Sequence, residues 1–229
     1  RAVPRVGMPK GERLVPIREI STANTQFFDG KRSPVAMEQK EIPLLRVEQV
    51  RKGFLLRKKN FLSRRNLEQA LAVDDVSFFI NRGECLGLVG ESGCGKTTTS
   101  KMIMRAITPD EGHIYFNDEG QSKDIYKLSQ ADLVSYRRKV QFIFQDPFSS
   151  LNPRMTIFDI ISEPLNIHRF GNRDERLERV RELMSMVGLD LKFLRRYPHS
   201  FSGGQRQRIG IARALALQPE LIICDEPVS

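Results

Sequence analysis

Cysteine is scarce in this 229-residue chain. Cys85, Cys94 and Cys224 are odd in number and lack paired spacing, which argues against a disulfide framework. No CxxC pair and no Cys/His cluster occurs, so a zinc site is not indicated. The three histidines, His113, His168 and His199, are scattered and suggest no metal by their spacing. A reducing compartment fits this usage best. No apolar run approaches the ~18 residues that a membrane-spanning helix needs, and Leu221–Cys224 is typical of the longest. The N-terminus lacks the apolar segment of a secretory signal. It begins with Arg rather than Met, as a piece of a longer chain would. Gly 16 and Pro 12 are too few for a collagen-like or low-complexity chain.

The length corresponds to roughly one and a half domains, enough for one well-buried core with something left over. The net charge of +9 is concentrated. Arg51, Lys52, Arg57, Lys58, Lys59, Arg64 and Arg65 fall within residues 51–65, which contain no acid. That pattern reads as a solvated basic loop, with contact to phosphates or anionic headgroups as the alternative.

Residues 1–43 differ from the remainder. Pro4, Pro9, Pro16, Pro34 and Pro43 interrupt every helical or strand period, so the stretch reads as a linker or the tail of a preceding unit. Strands are expected at 44–50, 70–80, 85–89, 113–116, 140–144 and 221–224, the 85–89 strand being buried. Helices are expected at 96–107, 174–187 and 205–217, the second with an apolar stripe of Leu177, Val180, Leu183, Met184 and Val187. Strands that alternate with helices indicate an α/β domain.

Four segments carry chemistry. The first is Gly90-Glu91-Ser92-Gly93-Cys94-Gly95-Lys96-Thr97, a glycine, four residues, then Gly-Lys-Thr. Glycines let the backbone curl until successive N–H groups point inward at phosphate oxygens. The loop opens a helix whose N-terminus is partly positive. Lys96 adds a full charge for the β- and γ-phosphates, and the Thr97 hydroxyl is a hard ligand suited to Mg2+. The second is Leu221–Glu226, an apolar strand ending in two carboxylates. At the carboxyl edge of a parallel sheet Asp225 can hold Mg2+, and Glu226, on the other side of the strand end, can polarise a water for attack on the γ-phosphate. The third is Ser202-Gly203-Gly204-Gln205, where Ser202 is a candidate N-cap and the glycines let an anion approach the helix. One chain rarely needs two phosphate cradles for one nucleotide, so this one fits a nucleotide held by another copy. The fourth is Gln145, at the end of the 140–144 strand, where an amide can touch Mg2+ or the attacking water.

GESGCGKTT, FQDP, FSGGQRQR and LIICDEP, in that order, resemble the Walker A, Q-loop, signature and Walker B segments of ABC-transporter ATPase domains. The resemblance covers residues 44–229, and the signature separates this family from other phosphate-loop NTPases. The wording is most similar to the importer group for dipeptides, oligopeptides and glutathione, in particular to the second ATPase module of a tandem glutathione-importer-type subunit. In that reading residues 1–11 are the tail of the first module and 12–43 the linker between modules.

The resemblance implies an α/β phosphate-loop NTPase core with a mixed sheet and a helical signature subdomain. It implies that Gly90, Glu91, Ser92, Gly93, Cys94, Gly95, Lys96, Thr97 and Thr98 bind ATP, that Thr97, Gln145 and Asp225 surround Mg2+, and that Glu226 is the catalytic base. Ser202, Gly203, Gly204 and Gln205 would close over ATP bound by the opposite module. By position Phe54 is similar to the aromatic that stacks on adenine, with Phe61 the competing position. Residues 146–164 would face the membrane subunits.

The implied partners are a second ABC ATPase module, transmembrane permease subunits and, indirectly, a solute-binding protein, at the cytoplasmic face of the inner membrane and with no nucleic acid. Phe201 stands where Leu is usual before SGGQ, and Val228 where Thr is common. Ser229 falls just before the family's D-loop, and the later switch histidine is not in this stretch. The stretch is therefore expected to bind ATP and to hydrolyse it poorly. The activity implied for the whole protein is ATP hydrolysis driving peptide import. A DNA-repair or chromosome-maintenance ATPase of the same superfamily is the alternative suggested by the basic charge. Such chains carry a long coiled coil or insertions between the two halves, whereas here Gln145 and Ser202 are close in sequence with no heptad run between them. A non-catalytic partner module is a third reading, and intact Lys96 and Glu226 argue against it.

Overall fold

The computed structural model describes residues 15–18, 42–57, 67–146 and 150–225. The chain divides between Leu128 and Ser129 into two compact units.

In the first unit a four-stranded antiparallel sheet is built from β2 (Leu45–Arg57), β3 (Leu67–Ile80), β5 (Glu111–Asp118) and β6 (Gln121–Asp124), in the order β3-β2-β5-β6. Along β2 the alternation that buries Leu45 and Val47 skips a residue before Val50 is buried. The slip sits at Gln49, whose φ is +49° and whose N–H donates to Ser77 Oγ at 2.8 Å. This is a bulge, and it turns the strand by one residue. It also brings β2 against Gly112: a Cβ at Gly112 would stand 2.4 Å from the carbonyl oxygens of both Glu48 and Gln49, so only glycine fits.

A two-stranded antiparallel pair joins β1 (Val15–Arg18) to β4 (Leu86–Val89), with Val15 opposite Val89. β1 lies in the stretch where no strand period was expected. β4 was expected to be buried, yet it alternates between half-buried and exposed, and Val89 is 48% exposed. In the described sheet its partner is β1 alone, so one neighbour covers what a central strand would bury from two sides. Helix α1 (Lys96–Ile103) follows β4. It stops four residues before the expected end because Arg105 adopts a left-handed φ of +54°.

The second unit pairs β7 (Val140–Ile143) with β8 (Leu221–Cys224) in parallel, Ile143 opposite Cys224. Helix α2 (Gln130–Lys139) leads into β7. A helical cluster is formed by α3 (Ile157–Ile167), α4 (Arg173–Met186) and α5 (Gly203–Leu215). Ile157, Ile160, Ile161 and Leu165 of α3 meet Val180, Leu183 and Met184 of α4 and Ile209 and Ala212 of α5 in one buried cluster. The spacing of these residues is that of one helix face. Capping boxes start all three helices, led by Thr156, Asn172 and Ser202. Arg179 of α4 donates to the carbonyls of Leu215 and Ala216 at 3.1 and 3.4 Å, tying α4 to the end of α5.

The basic stretch is not simply a loop. Residues 51–57 are strand, and Arg51 pairs with Asp74 at 2.8 Å and Glu111 at 3.2 Å. Residues 58–66, Phe61 among them, lie outside the described residues.

Replacing Ile161, which is fully buried, by Ala should destabilise the second unit by ~2–5 kcal/mol in urea unfolding. Ile167→Ala, at a position 69% exposed, should change it by less than ~0.5 kcal/mol.

Candidate nucleotide site

The segment between β4 and α1 is held open by two left-handed glycines. Gly93 has φ +83° and Gly95, the N-cap of α1, has φ +101°. Side chains disfavour both conformations. Gly95 is constrained further by its surroundings: a Cβ there would lie 2.3 Å from the Ala72 carbonyl oxygen and 3.1 Å from Val73 Cγ2. The loop therefore backs directly onto β3. Behind it, Thr99 donates through both its N–H and its hydroxyl to Gly95 O, at 2.8 and 3.0 Å, and is fully buried. No side chain caps the start of α1, and its first turn carries no acid. The N-terminal N–H groups of α1 thus keep their partial positive charge for an anion.

Lys96 turns back over the loop. Its ammonium donates to Gly90 O at 2.7 Å and Glu91 O at 2.9 Å, and lies 3.7 Å from Cys94 Sγ. A cation is thus held against two carbonyls of the loop. Residues 90–93 and Thr97 are exposed, whereas Thr98 is half-buried. At the far end of α1 the Tyr126 hydroxyl lies 2.7 Å from Met102 O and 2.6 Å from Ile107 O. Burial pushes its pKa well above the ordinary phenol range, so it remains a donor to the end of the loop-bearing helix.

Phe54 reaches the same neighbourhood from β2. It is 43% exposed and paired with Ala70, two residues along β3 from the Ala72 carbonyl that Gly95 touches.

In the second unit the parallel register brings two candidate ligands to one end. Gln145 follows β7 by two residues, Asp225 follows β8 by one, and Asp225 N–H donates to Ile143 O at 3.1 Å. Glu226 lies outside the described residues. The Ser202 segment opens α5 as expected of an N-cap. Ser202 Oγ accepts from Gln205 N–H at 3.4 Å, and Gln205 Oε1 accepts from Ser202 N–H at 3.0 Å. That reciprocal box was not anticipated, although a serine followed three residues later by glutamine is its signature. A Cβ at Gly204 would meet nothing within 4 Å, so that face of the helix start is open.

Strand, glycine loop, helix, and a lysine folded onto the loop define an α/β protein of the phosphate-loop class. Residues 73–229 match the family model described as ABC transporter. The chain belongs to that family. It is 53% identical over 173 residues to the oligopeptide transport ATP-binding protein OppF of Bacillus subtilis (strain 168), a match that covers 75% of this chain and 55% of OppF. To AppF of the same organism, also described as an oligopeptide transport ATP-binding protein, it is 52% identical over 187 residues, 81% of this chain and 55% of AppF. The chain thus spans about half the length of these curated relatives. Among solved structures it resembles the dimeric ATP-binding cassette MJ0796 in a post-hydrolysis state bound to ADP and Pi, with a TM-score of 0.65 and 30% identity over 80% of this chain and 74% of that one.

Gly95→Ala should cost ~2 kcal/mol or more, since it combines a strained φ with a backbone clash. Thermal unfolding would check this. Gly204→Ala, in open space, should leave the melting temperature nearly unchanged.

Proposed function

We propose that this chain is the ATP-binding part of a peptide importer, in which ATP hydrolysis drives transport of an oligopeptide, dipeptide or glutathione through membrane permease subunits. The loop geometry carries this reading: left-handed Gly93 and Gly95 and an ammonium held on the carbonyls of Gly90 and Glu91 make a pocket suited to a terminal phosphate. The relatives described as oligopeptide transport proteins support peptide as the cargo class, and they favour transport over DNA repair.

In this reading Gly90 to Thr98 cradle the triphosphate. Lys96 exchanges contacts with loop carbonyls for contacts with phosphate oxygens, a stronger charge-assisted pairing. Phe54 stacks on the base. Thr97, Gln145 and Asp225 offer a hydroxyl, an amide oxygen and a carboxylate, the hard oxygen set that suits Mg2+. The fit is supported by the shared end of β7 and β8 from which Gln145 and Asp225 emerge. Bound there, Mg2+ would neutralise charge on the phosphates. Glu226 serves as general base, taking a proton from the attacking water.

Ser202, Gly203, Gly204 and Gln205 present an open helix start to ATP held by a second module, and the dimeric state of MJ0796 supports such a pairing. The free energy for transport comes from the different affinities of closed and open pairs for ATP and ADP. A solute-binding protein delivers cargo to the permease. The subunit works peripherally at the cytoplasmic face of the membrane, and no helix among the described residues is long and apolar enough to cross it. Residues 1–11 serve as the tail of a preceding module and 12–43 as the linker to the ATPase domain at 44–229.

Lys96→Ala should lower the affinity of the full chain for ATP by about tenfold or more, as expected for losing charge-assisted bonds. Calorimetric titration measures this, and an unchanged affinity would refute the cradle. Glu226→Gln should preserve ATP-dependent pairing of modules while slowing phosphate release by about 100-fold or more. Normal turnover would remove Glu226 as the base.

A further inference from the structure

The ladder between β2 and β5 ends at Arg51 opposite Glu111. Beyond that rung β2 continues with β3 along one edge only, Gly53 opposite Leu71 and Phe54 opposite Ala70. The register shifts on both sides of Lys52. Strand pairing alone specifies side-chain direction poorly at such irregularities. Here another group supplies the missing constraint.

Asp110, in the turn between α1 and β5, holds three consecutive residues of β2. Its N–H donates to Arg51 O at 2.8 Å. One carboxylate oxygen accepts from Lys52 Nζ at 2.6 Å, and the other accepts from Gly53 N–H at 2.7 Å. The side chain thus continues the ladder by one rung past the last true pair. The Gly53 N–H, and then the Lys52 ammonium, hold the Asp110 carboxyl below the usual carboxylate range, so the clamp is charged near neutrality. Phe54 is the next residue, and Lys52 Nζ lies 5.9 Å from the centroid of its ring.

We infer that Asp110 is a positioning residue for the base end of the nucleotide: by fixing residues 51–53 it sets the direction in which Phe54 presents its ring. The inference rests on the reading of Phe54 as the base platform. It assigns Asp110 no contact with ATP, and it separates the base end of the site from the phosphate loop, which backs onto β3 instead.

The test compares two ligands on the full chain, ATP and inorganic tripolyphosphate, each with Mg2+, by calorimetric titration. Aromatic stacking on a base implies that Phe54→Ala and Asp110→Asn each weaken ATP binding by about tenfold. Neither should alter binding of tripolyphosphate, which has no base. The double variant should bind ATP no more weakly than Phe54→Ala alone, because both changes remove one contact. If Phe54→Ala weakens ATP binding and Asp110→Asn does not, the clamp is refuted and the platform stands. If Asp110→Asn weakens both ligands equally, Asp110 supports the fold rather than the base end, and the inference falls. If Phe54→Ala binds ATP as the unmodified chain does, the platform is wrong and the clamp loses its object.

Discussion

The contact between Gly95 and the Ala72 carbonyl governs the first unit. It requires the absence of a side chain at Gly95 and a left-handed backbone, and it seats the glycine loop on a strand fixed by its own ladder to β2. Because the loop is seated, α1 begins at a defined point and Lys96 can reach back to Gly90 and Glu91. A seated backbone matters because hydrogen bonds to phosphate gain most when backbone donors need not be rearranged on binding, which leaves the Lys96 ammonium as the donor that moves. The same β3 strand carries Ala70 opposite Phe54, so a single ladder links the phosphate end of the candidate site to its base end.

The second unit follows a different logic. Its parallel pair delivers Gln145 and Asp225 to one edge, and its helices bury a branched aliphatic cluster that owes little to the sheet. Ser202 stands at the junction of that cluster with the surface: buried Phe201 packs edge-on against Phe193 just before it, and Gly204 is open just after it. An aromatic anchor on one side and bare glycines on the other give a helix start that is fixed in place yet accessible.

Much of this was legible in the sequence where the determinant is local. The glycine loop, the Ser202 cap and the strand at 221–224 are set by residues within a few positions of one another. What was not legible depends on distant partners. Arg51 and Lys52 read as part of a solvated basic stretch, but their counter-ions are Asp74, Asp110 and Glu111, far along the chain. Helix α3 is hard to read from its own residues because isoleucine is a modest helix former and Pro164 interrupts the pattern. Its apolar face becomes meaningful only against α4 and α5. The early end of α1 depends on a left-handed arginine and on Tyr126, which approaches from beyond the next two strands. The bulge at Gln49 needs Gly112 and Ser77, and no short window contains all three.

The central claim is that the loop from Gly90 to Thr97 grips the terminal phosphates of a nucleotide. A crystal structure of the full chain with Mg2+ and a non-hydrolysable ATP analogue tests it most directly. The account predicts the β- and γ-phosphate oxygens within hydrogen-bond distance of the backbone N–H groups of residues 93–97, and the Lys96 ammonium moved from loop carbonyls to phosphate. An analogue bound elsewhere, or a loop that binds it with Lys96 still turned onto Gly90 and Glu91, would contradict it.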